Sequence, residues 1–312
     1  MIRLQAKPQV KPQVKLRSFI QLTVRFTLCL SLSLGCWLGS TAPVLAGASL
    51  EQRTASTSQA KRAAMPPDIQ KIRQRGKLIV AMLNQENSPF FMTNPARDFT
   101  GLDVKLAKAL AEQLGVTLEF NRTAKTFDEV VKTVYDLKAD LAISKLSRTL
   151  NRAERVRFSQ PYLKMRQGLL VNRLQIAQQA NGRSMTEVIR SLQGKIGVIR
   201  GSSYVGFTRK KFPNTTVVEF PTWADAVEAV IRGDILATYR DELEVKKAVL
   251  SQPDTALTLQ TIALTDTQDA IAIALPWDSS QLLAYVNQFL EMTASYSAES
   301  LLQEYPMAAS TQ

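Results

Sequence analysis

The stretch Ser144-Lys145-Leu146-Ser147-Arg148-Thr149-Leu150-Asn151-Arg152 gathers hydroxyls and guanidinium groups just past a short apolar run. Backbone N–H groups at a helix start, joined by the two-pronged donor fork of an arginine such as Arg152, form a cradle for a carboxylate. A second stretch, Arg200-Gly201-Ser202-Ser203, places a Gly-Ser turn between an apolar run and a helical one, and its physics also favours an anion. Asp241 lies just past the apolar run Ile235–Tyr239 and offers a carboxylate to an ammonium group. Phe90 and Phe127 add aromatic faces near a strand end and a helix start. Taken singly, each has a structural alternative: Arg152 as one charge of a solvated helix face, Asp241 as a helix cap, the two Phe rings as core. Taken together, an anion cradle in each half and a carboxylate in the second match a zwitterion with a variable side chain.

The composition narrows the chemistry. The chain has 312 residues and no histidine. That removes His-based acid–base catalysis, Ser-His and Cys-His nucleophile pairs, and most zinc and copper sites. Its two cysteines, Cys29 and Cys36, both lie in an N-terminal apolar segment, so the body is expected to hold by packing without disulfides. No metal, cofactor or catalytic residue is expected. The formal net charge of +12 suggests nucleic acid until its distribution is considered. Residues 1–46 contain six basic side chains and no acidic one, leaving 33 Lys and Arg against 27 Asp and Glu beyond them. A mildly basic body with few aromatics in its basic stretches argues against a nucleic-acid partner.

The candidate loops need elements that place them at strand ends. Lys77–Met82 is an apolar run of buried-strand type, and Leu102, Leu106, Leu110 and Leu114 follow at helical spacing up to Gly115. Val116–Phe120 alternates as a strand, Thr126 to Glu129 has capping-box spacing before a second helix, and Asp140–Ser144 is another short strand. The same order returns as Lys195–Ile199, Tyr204–Phe212, Thr216–Phe220, Thr222–Arg232 and Ile235–Tyr239. Strand–helix alternation builds a parallel sheet, and two similar units suggest two α/β lobes, with one long doubly wound sheet as the alternative. In either case small ligands bind at the carboxyl ends of the strands.

Upstream of this body, basic residues precede the apolar run Phe26–Leu38, which is about a dozen residues long and short for a membrane span. Val44-Leu45-Ala46 before Gly47 fits a signal-peptidase site, so residues 1–46 are expected to be an export signal and 47–67 a flexible spacer. Cys36 after Leu34-Gly35 leaves lipidation open as a second form of export, and an uncleaved signal anchor as a third.

With these residues in view, the sequence resembles the family-3 extracellular solute-binding proteins, the polar-amino-acid receptors of ABC importers. The resemblance runs from about Gly76 to Tyr305 and is most specific over Asp140–Arg152 and Phe158-Ser159-Gln160-Pro161-Tyr162. Gly101–Ala111 and Gly194–Ser203 carry it further. It implies a two-lobe fold in which each mostly parallel sheet is flanked by helices: lobe 1 over 68–168, lobe 2 over 169–270, a return to lobe 1 over 271–306, and a tail, 307–312. Hinge crossovers are expected near Leu169-Leu170-Val171 and Ala270-Ile271-Ala272, with the lobes closing on the ligand. By the resemblance Arg152 clamps the ligand carboxylate with Ser147, Ser202 and Ser203, Asp241 takes its ammonium, and Phe127 lies against its side chain.

Two departures bear on the ligand. Asn84 falls where many members have an acid, and Lys145 where members often have a small residue. Losing an acid and gaining a base favours an acidic or polar neutral amino acid. The expected protein is monomeric and periplasmic, is not an enzyme, and works with a membrane permease; a sensing subunit and a dehydratase-like enzyme on the same scaffold are the competing classes.

Overall fold

The computed structural model describes residues 65–251, 253–293 and 296–305. The expected signal, most of the spacer and the tail lie outside the described residues. Among the described residues, no helix is long and apolar enough to cross a membrane. They all fall in one compact unit, Ala63–Gln312.

Two five-stranded sheets form the two lobes. The first contains β1 (Lys77–Ala81), β4 (Thr117–Asn121), β5 (Leu141–Ala142), β6 (Val156–Phe158) and β12 (Ala274–Pro276), in the order β4-β1-β5-β12-β6. A small hairpin, β2 (Met92–Thr93) with β3 (Phe99–Thr100), lies outside it. β1 pairs in parallel with β4 and β5, and β12 runs antiparallel to β5 and β6. The second sheet contains β7 (Leu163–Asn172), β8 (Gly194–Ile199), β9 (Thr215–Phe220), β10 (Ala237–Asp241) and β11 (Leu259–Ile271), in the order β11-β7-β10-β8-β9. β8 pairs in parallel with β9 and β10, while β7 runs antiparallel to both of its neighbours, β10 and β11. Both sheets are therefore mixed: a parallel nucleus built by strand–helix–strand units, with one strand in each, β12 in the first and β7 in the second, running against the rest.

The helices form where apolar spacing and end signals agree. In α2 (Leu102–Leu114) one apolar stripe is buried, and Gly115, left-handed at φ 69°, ends it. In α3 (Phe127–Tyr135) the Thr126 hydroxyl accepts from the Glu129 N–H, as the spacing predicts. The reciprocal half of that box differs, because the Glu129 carboxylate accepts from the Lys125 N–H. In lobe 2, α8 (Trp223–Ile231) has a complete capping box between Thr222 and Asp225. Lobe 1 packs Leu78, Val80, Leu106, Leu110, Val130, Val134 and Leu141 into one core, which the C-terminal helices α10 (Ser280–Met292) and α11 (Ala298–Glu304) join through Leu282, Val286 and Leu301. Each such side chain taken fully out of water contributes roughly 1.5–3 kcal/mol.

β7 and β11 carry the chain between lobes. They pair antiparallel from Leu163↔Ile271 to Asn172↔Leu259, with a register shift between Leu264 and Gln268. Leu163 and Met165 belong to the lobe 1 core, and Leu169 and Val171 to that of lobe 2. Leu169-Leu170-Val171 pairs with Tyr239, Thr238 and Ala237 inside the second sheet, so the passage along β7 falls just before those residues. β10 runs on to Asp241 because Arg240 and Asp241 pair with Gly168 and Gln167 of β7.

Candidate functional site

The loops after β1, β5, β8 and β10 converge between the lobes. From lobe 1, the turn after β5 is fixed where the Ser144 hydroxyl accepts from the Leu83 N–H at 3.0 Å. Lys145 follows with φ 48°, a left-handed backbone rare for a side chain of its size. Its N–H donates to Asp103 Oδ2 at 2.6 Å. From there the Lys145 side chain crosses to lobe 2, with Nζ 2.9 Å from Asp241 Oδ2, 3.5 Å from Glu244 Oε1 and 4.7 Å from the centre of the Phe90 ring. The three charged side chains are 4%, 2% and 7% exposed.

Arg152 sits in the short helix α4 (Leu150–Ala153), whose start Thr149 caps. It is buried, so it is not one charge of a solvated face. Its Nε and one terminal nitrogen donate to Asp128 Oδ1 at 3.1 and 2.8 Å, and the other terminal nitrogen donates to the Ser147 carbonyl at 3.2 Å. Asp128 itself is 57% exposed. Ser147 donates its hydroxyl to Asp269 Oδ2 at 2.9 Å and accepts from the Ser203 hydroxyl of lobe 2 at 2.8 Å. Ser203 opens α7 (Ser203–Lys211), and the Ser202 hydroxyl turns back to the Ile199 carbonyl at 2.6 Å. Asp241 both pairs with Lys145 and caps α9 (Glu242–Ser251), accepting from the Glu244 N–H at 3.2 Å.

Phe127, Lys145, Ser147, Arg152, Ser202, Ser203 and Asp241 thus line one cavity of about 20 Å³. That is room for little more than one water. A neighbouring cavity of about 160 Å³ opens between Asn87 and Phe127 of lobe 1 and Trp223, Arg240, Glu244 and Lys247 of lobe 2. Two of the expected residues are elsewhere. Asn84 is exposed and is held through its backbone, its carbonyl accepting from Arg122 at 2.8 Å and its N–H donating to the Ala124 carbonyl at 2.9 Å. The asparagine of that loop that reaches the crevice is Asn87, whose amide, oriented to satisfy both neighbours, accepts from Arg240 at 2.9 Å and donates to Glu244 at 3.2 Å. Phe90 is wholly buried in the lobe 1 core and meets the site as the ring beneath the Lys145 cation.

Several participants were missed from sequence. Asp103 shares a helix face with Leu106, Ala107 and Leu110, and an acid on an apolar stripe was the available signal. It accepts from the buried Tyr162 hydroxyl at 2.8 Å, and burial pushes its carboxyl up to about 7. Asp269, which also accepts from the Tyr204 hydroxyl at 3.1 Å, is pushed up by burial to about 6. Glu244 shows the opposite result: burial works against its charge, but Arg240, Lys145 and Lys247 outweigh it and hold the carboxyl well below the usual range. Lys247 donates to the Ser88 carbonyl of lobe 1 at 2.9 Å, and the Arg240 guanidinium stacks 5.1 Å from the Trp223 ring. Among the described residues, no cluster of His, Cys, Asp or Glu is arranged to hold a metal ion.

A family model described as bacterial extracellular solute-binding proteins, family 3, matches residues 78–307. Among solved structures, the chain is similar to the amino acid ABC transporter substrate-binding protein AbpA from Streptococcus pneumoniae, bound to L-arginine. The identity is 29% and the TM-score 0.58, over 71% of this chain and 90% of that one. It is 25% identical to the ABC transporter arginine-binding protein 1 of Escherichia coli over 65% of this chain and 79% of that protein. It is 34% identical to a membrane-bound lytic murein transglycosylase F of Saccharophagus degradans over 45% of its own length, and spans 26% of that protein.

Proposed function

The chain belongs to the family-3 bacterial extracellular solute-binding proteins, and we propose that it captures a small amino-acid-like solute by closing its lobes, for delivery to the membrane permease of an ABC importer. One observation carries this reading: Arg152 and Ser147 of lobe 1 and Ser202, Ser203 and Asp241 of lobe 2 line one cavity. Arg152 clamps the solute carboxylate with the serine hydroxyls, Phe127 flanks its side chain, and the larger cavity beside Trp223 takes the remainder. Contacts to both lobes at once exist only in the closed form, so they make ligand binding favour closure. Arg152, together with Arg240 and Lys247 set against Glu244, favours an acidic or polar neutral solute; the arginine named for two relatives sets the contrary expectation. The chain acts by binding, without catalysis, after export through residues 1–46, with lipidation at Cys36 as the anchored alternative.

Thermal unfolding of the purified protein with each of the twenty amino acids and with their 2-oxo counterparts tests the reading. A solute at about 100 times its Kd adds roughly 2.7 kcal/mol of stability. A midpoint shift with one chemical class, lost in Arg152→Ala, is the expected result. No shift with either set, in folded protein freed of carried-over ligand, sinks it.

A further inference from the structure

The buried cation in the crevice is the chain's own. Lys145 Nζ lies between two carboxylates of lobe 2 and over an aromatic ring of lobe 1. Carboxylates and an aromatic face are what a protein offers to an alkylammonium group. Placing this side chain there requires a left-handed backbone at a non-glycine residue, which costs energy and persists only where its surroundings hold it. Here the Asp103 carboxylate holds it through the Lys145 N–H.

The two ends of the site differ in how readily a ligand exchanges with them. At Arg152, itself buried, the resident partner is Asp128, whose carboxylate is more than half exposed and can turn back into water. An incoming carboxylate displaces it into water. At Asp241, the resident partner is Lys145, and both side chains are almost wholly buried. Breaking such a pair within the closed crevice strands a charge away from water. An α-ammonium entering there brings a further cation to a place already holding Lys145 and, 3.7 Å from Asp241, the Arg240 guanidinium.

We propose that Lys145 substitutes for the ligand's α-ammonium group, so that the crevice selects small carboxylates lacking an α-amino group, the 2-oxo and 2-hydroxy acids, over the matching amino acids. This rests on the reading of the crevice as the solute site and narrows the class of solute. Lobe opening separates Lys145 from Asp241, and on closure either the lysine or a ligand ammonium takes the carboxylate. The lysine is tethered and always present; a 2-oxo or 2-hydroxy acid leaves it in place and answers only to Arg152 and the hydroxyls.

The test is calorimetric titration of wild-type protein and Lys145→Met with matched pairs: L-glutamate and 2-oxoglutarate, L-leucine and 4-methyl-2-oxopentanoate, L-methionine and 4-methylthio-2-oxobutanoate, L-arginine and 5-guanidino-2-oxopentanoate. In the wild type, the deaminated member of at least one pair binds tighter by about tenfold or more, and Lys145→Met reverses that order. Wild-type preference for the amino acid in every pair that binds overturns the proposal and leaves the solute-site reading standing. An unchanged order in Lys145→Met overturns the role of the lysine. No binding of any member to either protein removes the solute-site reading and this proposal with it. Where Lys145→Met proves unfolded by circular dichroism, Lys145→Gly, which suits the left-handed backbone, takes its place, and the wild-type pairs decide in any case.

Discussion

Asp103→Asn should make the protein more stable relative to wild type as the pH rises, because the wild-type carboxyl is held protonated where an unfolded chain would ionise it. Asp103 is wholly buried in α2, and its two oxygens accept from the Tyr162 hydroxyl and the Lys145 N–H. Burial dominates those contacts and raises the carboxyl from 3.8 to about 7. A carboxyl raised in the folded state contributes its stability below the unfolded value, and loses it as the pH climbs toward the folded one. The whole difference corresponds to roughly 4 kcal/mol, of which about 2–3 kcal/mol is lost between about pH 5 and pH 8. Asn has nearly the same shape, keeps an acceptor for the Lys145 N–H, and does not titrate. Urea unfolding of both proteins at the two pH values measures the difference directly. Asp269, raised to about 6, titrates in both proteins and cancels in the comparison. The stability gap between variant and wild type should widen by that amount toward the alkaline end. Parallel pH dependence would refute the assignment of a buried, proton-retaining carboxyl at this position.

Three further outcomes follow from the contacts between lobes. Gly201 has φ 63°, its carbonyl accepts from the Asp128 N–H at 3.0 Å, and a Cβ there would lie 2.8 Å from Thr126 Cβ across the crevice. Gly201→Ala should therefore hold the lobes apart, giving a larger radius of gyration by solution scattering and weaker solute binding; unchanged values for both would discount the contact. Lys145→Met or Asp241→Asn alone leaves one charge of the buried pair with only its longer contact, Asp241 to Arg240 or Lys145 to Glu244, so the loss stays below a ceiling of about 3–5 kcal/mol, which lobe opening relieves further. The double variant should recover most of that loss in thermal stability, whereas simple additivity would show that the two side chains do not act as a pair. Arg152→Ala should abolish the ligand-induced midpoint shift and also lower the ligand-free midpoint, since the buried side chain bonds the Ser147 carbonyl as well as Asp128; a shift retained in the folded variant would discount the clamp.

Much of the scaffold was legible because its signals are local. The strands that build the parallel nuclei read as apolar runs, and Thr126, Gly115 and Thr222 mark helix ends by their own chemistry. The loops after β5 and β8 were legible for the same reason, each being a polar turn between a buried strand and a helix. The pairing of β7 with β11 was not, because its partners are more than eighty residues apart and neither strand carries a turn that sets the register. Asn84 and Asn87 show the same limit at one residue's scale. Nothing local separates two asparagines in one polar loop; what turns Asn87 inward is the tight return in which its N–H and carbonyl bond to Phe91 and Phe90.

Lys145 and Asp241 mark a subtler failure of one-residue reasoning. Each reads well as a ligand contact by itself, the lysine as a base in the pocket and the aspartate as a partner for an ammonium. Counted separately they describe a site with a free cation and a free anion. Closure brings them to 2.9 Å, and most of each field is then spent on the other. What the crevice still offers a solute is the remainder: Arg152 with a half-solvated partner, and Arg240 and Lys247 set against Glu244, while the hydroxyls of Ser147, Ser202 and Ser203 must first release Asp269, the Ile199 carbonyl and Ser147. The charge a two-lobe crevice presents to a solute is thus the sum left after the lobes have paired with each other, and here that sum favours an anion.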